Sequence, residues 1–266
     1  TLAADLNAID GKTAVAVNAS AVTAISGSAS DWATLEAAAT LETPTVALKS
    51  DVAIEATDAA DVSLINDLAA LTEGVVTATA SSNAFADFAA LSTAGTDKIT
   101  IQLTDASLNA ADIFAVVGGA ESGLATKTAE LVDLTGVAEI KGSIAELKTL
   151  IGKAKALSEG GEVSLNTAAV KVTVTAGTLE DDLQTATALD IKVLADFTGG
   201  LVDATIIDVV KGIGADISAV EALNDDVQLS IGDVEQVIYA AQPSDDTMYA
   251  SVIRSLAAAN SSGTVD

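Results

Sequence analysis

The chain contains neither cysteine nor histidine. The first absence excludes disulfides and thiolate nucleophiles, the second excludes an imidazole base, and together they remove the usual ligands of zinc and copper. Serine and threonine are plentiful, but without a histidine partner or a nucleophile-elbow pattern they suggest no hydrolase. No residue is therefore expected to be catalytic, no cofactor is expected, and no metal ligand can be singled out. Cations are scarce as well: 12 Lys and Arg stand against 38 Asp and Glu, a formal charge of −26. Nucleic acid is disfavoured as a partner, because binding a phosphate backbone requires clustered cations, and so is docking on an anionic lipid surface. No apolar run approaches the roughly 18 residues of a membrane span. The longest, "IFAVVGGA", ends in glycines, so membrane insertion is not expected. The first residue is Thr1 and no basic-then-apolar leader follows, which reads as a processed or excised chain.

Aromatics make up only 3% of residues, yet 50% of the chain is apolar, so a core is available but must be built from Ala, Val, Leu and Ile. Small, repetitive side chains suit stacked layers better than an irregular globule. The acidic surface fits an extracellular protein in salty water, where screening over roughly 8 Å or less blunts self-repulsion.

What is present is repetition. "SAVTAISGSASDWATL" at residues 20–35 returns as "TGVAEIKGSIAELKTL" at residues 135–150, with Gly27 on Gly142, Ser28 on Ser143 and Asp31 on Glu146. Ser28 to Asp31 and Ser143 to Glu146 have the form of a helix capping box, in which a Ser accepts from the third helical amide and an acid reaches back. The same pattern can be read at Asp58 to Asp61, Asn109 to Asp112, Thr178 to Asp181 and Ser230 to Asp233, with weaker versions near Ser82 and Gly200. Intervals of roughly 22 to 35 residues define a period.

Each cap opens a stretch of helical spacing, such as "DWATLEAAATL", "DVSLINDLAAL", "NAFADFAAL", "DIFAVV" and "ELKTLIGKAKAL". Before the caps lie runs of period two, "AVAVNAS", "VAIEATD", "VVTATAS", "KITIQLTD", "KVTVTAG" and "DIKVLAD", which read as strands. A five-residue strand and an eleven-residue helix both span about 17 Å, so each helix returns the chain to the start of its strand and the next strand lies parallel. Fully buried parallel strands read as unbroken apolar runs, whereas "KITIQLTD" and "VAIEATD" alternate with polar residues. One sheet face is therefore expected to be solvated. The expected fold is an α/β solenoid of strand-turn-helix units, with a parallel sheet on one face and short helices on the other. An open doubly wound α/β sheet or a β-helix with helices remains the alternative. Between Gly11 and Gly27, and between Gly123 and Gly142, a second short rung is expected to give two strand segments per turn. The solenoid is assigned to residues 1–242. Residues 243–266 read as a C-terminal helix and tail that starts a further repeat or serves assembly.

"LNAIDGKTAVAVNASAVTAISGSASDWATL" and "ITIQLTDASLNAADI" resemble the tandem repeats of very large secreted or cell-surface proteins of cyanobacteria and some other bacteria. The resemblance covers residues 1–145 and thins beyond. It implies an extracellular or cell-surface location and a structural or adhesive role, and it carries over no functional residues. The Gly-Gly-x-Gly-x-Asp nonapeptide of the calcium-binding segments that often adjoin such repeats is absent.

Other motifs weigh little. "GIGADI" at residues 212–217 reads as a strand-to-helix turn rather than a dinucleotide loop, because Ile217 stands where the third glycine would be. "IGKAKAL" lacks a phosphate loop, and Ala154 stands where a magnesium-binding hydroxyl would be. The acid pairs Asp181-Asp182, Asp225-Asp226 and Asp245-Asp246 point apart on a helix and suit helix N-termini. Asp61, Asp112, Asp181 and Asp233 read as capping acids. Trp32, Phe85, Phe88 and Phe114 are expected to plug the core. The sequence thus points to an extracellular structural protein, not an enzyme: a subunit or segment of a surface layer, filament or adhesin. Its expected partner is a second copy, joined head to tail through residues 1–20 and 240–266. The alternative is a calcium-dependent module that binds a cell-surface glycan or protein.

Overall fold

A computed structural model describes residues 1–155, 163–180, 183–225, 229–231, 236–239 and 264–265. Along the chain these form α1 (Ala3–Asp10), β1 (Val17–Ala19), β2 (Ala24–Gly27), α2 (Ala29–Ala39), β3 (Val46–Leu48), β4 (Ala53–Ala60), α3 (Val62–Leu71) and β5 (Val76–Ala80). After a 3-10 turn at Phe85–Ala90 come β6 (Lys98–Gln102), β7 (Leu108–Asn109), α4 (Ala110–Ile113), β8 (Ala115–Val117), β9 (Ala120–Ser122), β10 (Val132–Leu134), β11 (Glu139–Ser143) and α5 (Ile144–Lys155). The remainder comprises β12 (Val163–Leu165), β13 (Lys171–Ala176), β14 (Thr178–Glu180), β15 (Leu183–Thr187), α6 (Ala188–Phe197), β16 (Val202–Ala204), β17 (Val209–Gly212), α7 (Gly214–Asp225), β18 (Leu229–Ile231), β19 (Gln236–Tyr239) and β20 (Thr264–Val265). The chain is mixed α/β with parallel sheets.

Two compact units divide it. The first joins Thr1–Asp105, Glu121–Gly136 and Glu159–Ser164; the second joins Ala106–Ala120, Val137–Ser158 and Leu165–Asp266.

In the first unit the strands of the main sheet follow chain order, β2-β4-β5-β6-β10-β12. The ladders between β2 and β4, β4 and β5, β5 and β6, and β6 and β10 are parallel. β1 pairs in parallel with β3 in a sheet of its own. The alternation of "KITIQ" takes physical form in β6, where Ile99 and Ile101 are buried and Lys98, Thr100 and Gln102 are exposed. Helices α1, α2 and α3 lie each beside the next, and α3 beside the 3-10 turn. Their buried residues Trp32, Leu35, Ile65 and Leu68 share the core with Ile25, Ile54 and Val76 of the strands. Trp32 is fully buried, and its indole Nε1 donates to the Glu55 carbonyl at 2.9 Å, so the only Trp keeps its polar atom satisfied.

The second unit holds a sheet in the order β7-β11-β13-β16-β18 and another in the order β14-β15-β17-β19-β20. Within the latter β14 is antiparallel to β15, whereas β15, β17, β19 and β20 run parallel. Helices α4 to α7 are again neighbours in chain order. Two strands followed by a helix recur as β1-β2-α2, β3-β4-α3, β10-β11-α5 and β16-β17-α7, so the stretches between Gly11 and Gly27 and between Gly123 and Gly142 each hold two strand segments.

The capping expectation divides. Ser28 Oγ accepts from Asp31 N at 3.2 Å and caps α2. At α5 the box is reciprocal: Glu146 N donates to Ser143 Oγ at 3.3 Å, and Ser143 N donates to Glu146 Oε2 at 2.8 Å. Asp58 is not the cap of α3. β4 runs on to Ala60, Asp61 takes the cap by accepting from Leu64 N at 2.8 Å, and Asp58 Oδ1 accepts from Ala29 N at 2.5 Å, at the start of α2. Asn109 stands at the α4 cap but makes no capping bond to the backbone, its amide donating to Asp112 Oδ2 instead. Thr178 lies in a hairpin strand and Ser230 in β18, so neither opens a helix. Asp181, Asp182, Asp226, Asp233 and the pair Asp245-Asp246 lie outside the described residues.

"DIKVLAD" is helix, not strand. Ala188, Ile191, Leu194, Ala195 and Phe197 are buried at helical spacing, and Thr187 Oγ1 caps α6 by accepting from Asp190 N at 3.0 Å. A seven-residue window rich in β-branched residues does not separate the two periods, and the cap beside it is decisive. "NAFADFAAL" forms only a 3-10 turn, and "DIFAVV" passes from the four-residue α4 into β8. Phe88 and Phe114 are buried as expected, whereas Phe85 is half-buried.

Candidate functional site

Three features recur or stand out: a close helix-to-strand contact, a polar ladder and a cleft. The contact sits where a strand ends. A methyl group on Gly27 would lie 2.7 Å from the Cβ of Ala3, one on Gly212 2.9 Å from that of Ala188, and one on Gly142 3.3 Å from that of Ala110. In each case the glycine is the last or next-to-last residue of its strand, and the alanine is the first residue of the preceding helix. Gly212 thus serves as the strand-to-helix turn that "GIGADI" suggested, pressed against its neighbour.

The ladder lies on the sheets. In the first unit Gln102 Nε2 and Ser164 Oγ each donate to Asp133 at 3.0 Å, from the strands on either side. In the second, Thr173 Oγ1 donates to Glu139 at 2.6 Å, Lys141 and Lys171 approach Glu139 at 3.1 and 3.2 Å, and Lys171 reaches Asp203 at 3.0 Å. Burial pushes the Glu139 carboxyl up, but hydrogen bonds from Thr173, Lys141, Lys171 and Ser107 outweigh it and hold the group at about 2. Asp203 is lowered in the same way, with burial opposed by Lys171 and Thr205, and Lys171 is raised by Asp203 and Glu139.

Sequence reading missed these ladder residues, although a signal was there. "VNAS", "VDLT" and "VDAT" occupy β1, β10 and β16 with the residue that follows each. Asn18 accepts from the backbone N–H and hydroxyl of Ser20, Asp133 from those of Thr135, and Asp203 from those of Thr205. These Asx turns end β1, β10 and β16 and redirect the chain toward the strand that follows each.

The cleft belongs to the second unit. It has a volume of about 610 Å³ and lies between the first turns of α5 and α6, over the ends of β13 and β15. Here the glycine-alanine contact is replaced: Ala186 precedes the cap of α6, and Ile144 opens α5. Lys148 of α5 is ion-paired with Asp190 of α6 across the opening. The floor holds Ala176, Gly177 and Thr185, and a methyl group on Gly177 would come within 2.6 Å of the Thr185 carbonyl. Most hydroxyls of the wall are engaged: Ser143 with Glu146, Thr149 with the Ala145 carbonyl, Thr187 with Asp190 N. Thr185 differs, because its Oγ1 is buried and has no hydrogen-bond partner among the described residues.

Of the residues the sequence singled out, Asp61 is a helix cap and Asp112 pairs with Asn109; they lie on different helices and form no joint site. Phe114 packs under Lys153, whose Nζ is 4.3 Å from the ring centroid, a cation–π contact. Among the described residues there is no group of three or more acids that could hold a metal ion, and no helix long and apolar enough to cross a membrane. No family model matches the chain, and no match is found among curated proteins or solved structures.

Proposed function

We propose that the chain is an α/β solenoid and serves as an extracellular structural protein, a subunit or segment of a surface layer, filament or adhesin that joins copies of itself end to end. The observation that carries this reading is the strand order. A doubly wound sheet reverses its order at a switch point, whereas β2-β4-β5-β6-β10-β12 keeps chain order, with helices α1, α2 and α3 in matching succession. Stacking of coils accounts for both, and the glycine-alanine contacts and Asx turns are the means of stacking.

Such a stack presents strand edges at its ends, and an edge is a template for another strand. The first residues illustrate how one is used. Ser26 N donates to the Thr1 carbonyl at 3.0 Å, Leu2 bridges to Ser26 in parallel, and α1 then starts at Ala3, as α2 starts after β2. A second copy bound to such an edge makes a heterologous contact, which propagates as a filament. Residues 1–20 of one copy are proposed to meet residues 240–266 of the next; most of the latter lie outside the described residues. The acidic charge of −26 and the resemblance to cell-surface repeats support an extracellular setting. Light scattering across a concentration series tests the proposal: mass that grows with concentration is expected, and a constant monomer mass overturns it.

A further inference from the structure

The cleft between α5 and α6 is not needed for end-to-end assembly, and its chemistry differs from that of the stacking contacts. We propose that it is a binding site for a small saccharide. Thr185 is 5% exposed, lines the cleft and leaves its hydroxyl without a partner among the described residues. A buried hydroxyl with no partner is destabilising, so the position favours an occupant that supplies one. The volume of about 610 Å³ falls in the range of roughly 300 to 1,000 Å³ typical of small-molecule sites. Its lining matches the two-sided character of a sugar ring. Ile144, Ala176 and Ala186 offer apolar surface to C–H groups, while the Lys148–Asp190 ion pair places a donor and an acceptor side by side, the arrangement that a pair of adjacent hydroxyls meets. The first turns of two helices border the same space; Ser143 and Thr187 each accept from one of their amides, and Lys148 and Lys211 also line it, so the lining suits an acidic sugar as well as a neutral one. A hydroxyl-rich ligand meets the Thr185 hydroxyl and the ion pair together, which a simple anion does not.

The test is amide chemical-shift perturbation on the full chain, titrated separately with glucose, N-acetylglucosamine, glucuronate and inorganic sulfate. Saturable shifts at Gly177, Thr185 and Ala186 with at least one of the sugars are expected. Thr185→Val keeps the shape and removes the hydroxyl; it is expected to weaken that sugar by about tenfold while leaving the melting temperature equal or higher. Thr185→Ser is expected to bind within roughly threefold of the wild type. Shifts with sulfate but no sugar, shifts confined to other parts of the chain, or no shift at all would overturn the proposal, as would unchanged sugar binding by Thr185→Val. A Thr185→Val chain that fails to fold leaves the wild-type titration and the Thr185→Ser chain to decide. The titration is run at the concentration where light scattering finds the smallest particle, so failure to bind sugar and failure to assemble are read separately.

Discussion

At the scale of single residues, the glycines separate by what surrounds them. Gly27 ends β2 against Ala3, with only 2.7 Å available to a methyl group. Gly27→Ala is therefore expected to destabilise by about 1 to 3 kcal/mol, the usual cost of overpacking. Gly152 lies inside α5, and a methyl group there would meet nothing within 4 Å. Gly152→Ala is expected to stabilise by about 0.5 to 1 kcal/mol through helix propensity alone. Urea denaturation of the two variants decides the matter, since the same chemical change should give opposite signs. Trp32 offers a third probe: Trp32→Phe removes packed volume and the indole donor to the Glu55 carbonyl, for an expected loss of about 2 to 3 kcal/mol.

At the scale of elements, much of the fold was legible in the sequence. The alternation of "KITIQ" and the apolar spacing of "DVSLINDLAAL" mark β6 and α3 because each buries one face. The box at Ser143 and Glu146 was readable because both halves of it are local. Asp58 shows the limit. Its partner, the amide of Ala29, is 29 residues away, so a local pattern assigned it to the wrong helix. The cleft was not legible at all, since it depends on residues brought together from α5, β13, β15 and α6. The ladder around Glu139 makes an element-scale prediction. Its carboxyl is lowered from an ordinary 4.5 to about 2, so its contribution is fully present above about 4.5 and is lost as the pH falls through about 2. Lys171 is raised, so its contribution is present below 10.5 and is lost as the pH rises beyond it. Glu139→Gln is expected to cost about 1 kcal/mol at neutral pH after solvent screening, and thermal melts from pH 7 downwards should show its gap to the wild type closing in acid.

At the scale of the whole molecule, two properties dominate: a formal charge of −26 and a strand order that follows the chain. The charge opposes compaction and repels neighbouring copies, and salt screens both effects over roughly 8 Å at physiological strength. Raising sodium chloride is thus expected to raise the melting temperature, and to shift the balance toward larger assemblies. The strand order supports the central proposal, that coils stack within one chain and continue between chains. Electron microscopy of the purified protein, over a range of concentrations at physiological salt or above, tests it most directly. Linear head-to-tail particles that lengthen with concentration are the predicted result; uniform single particles at every concentration would contradict the account.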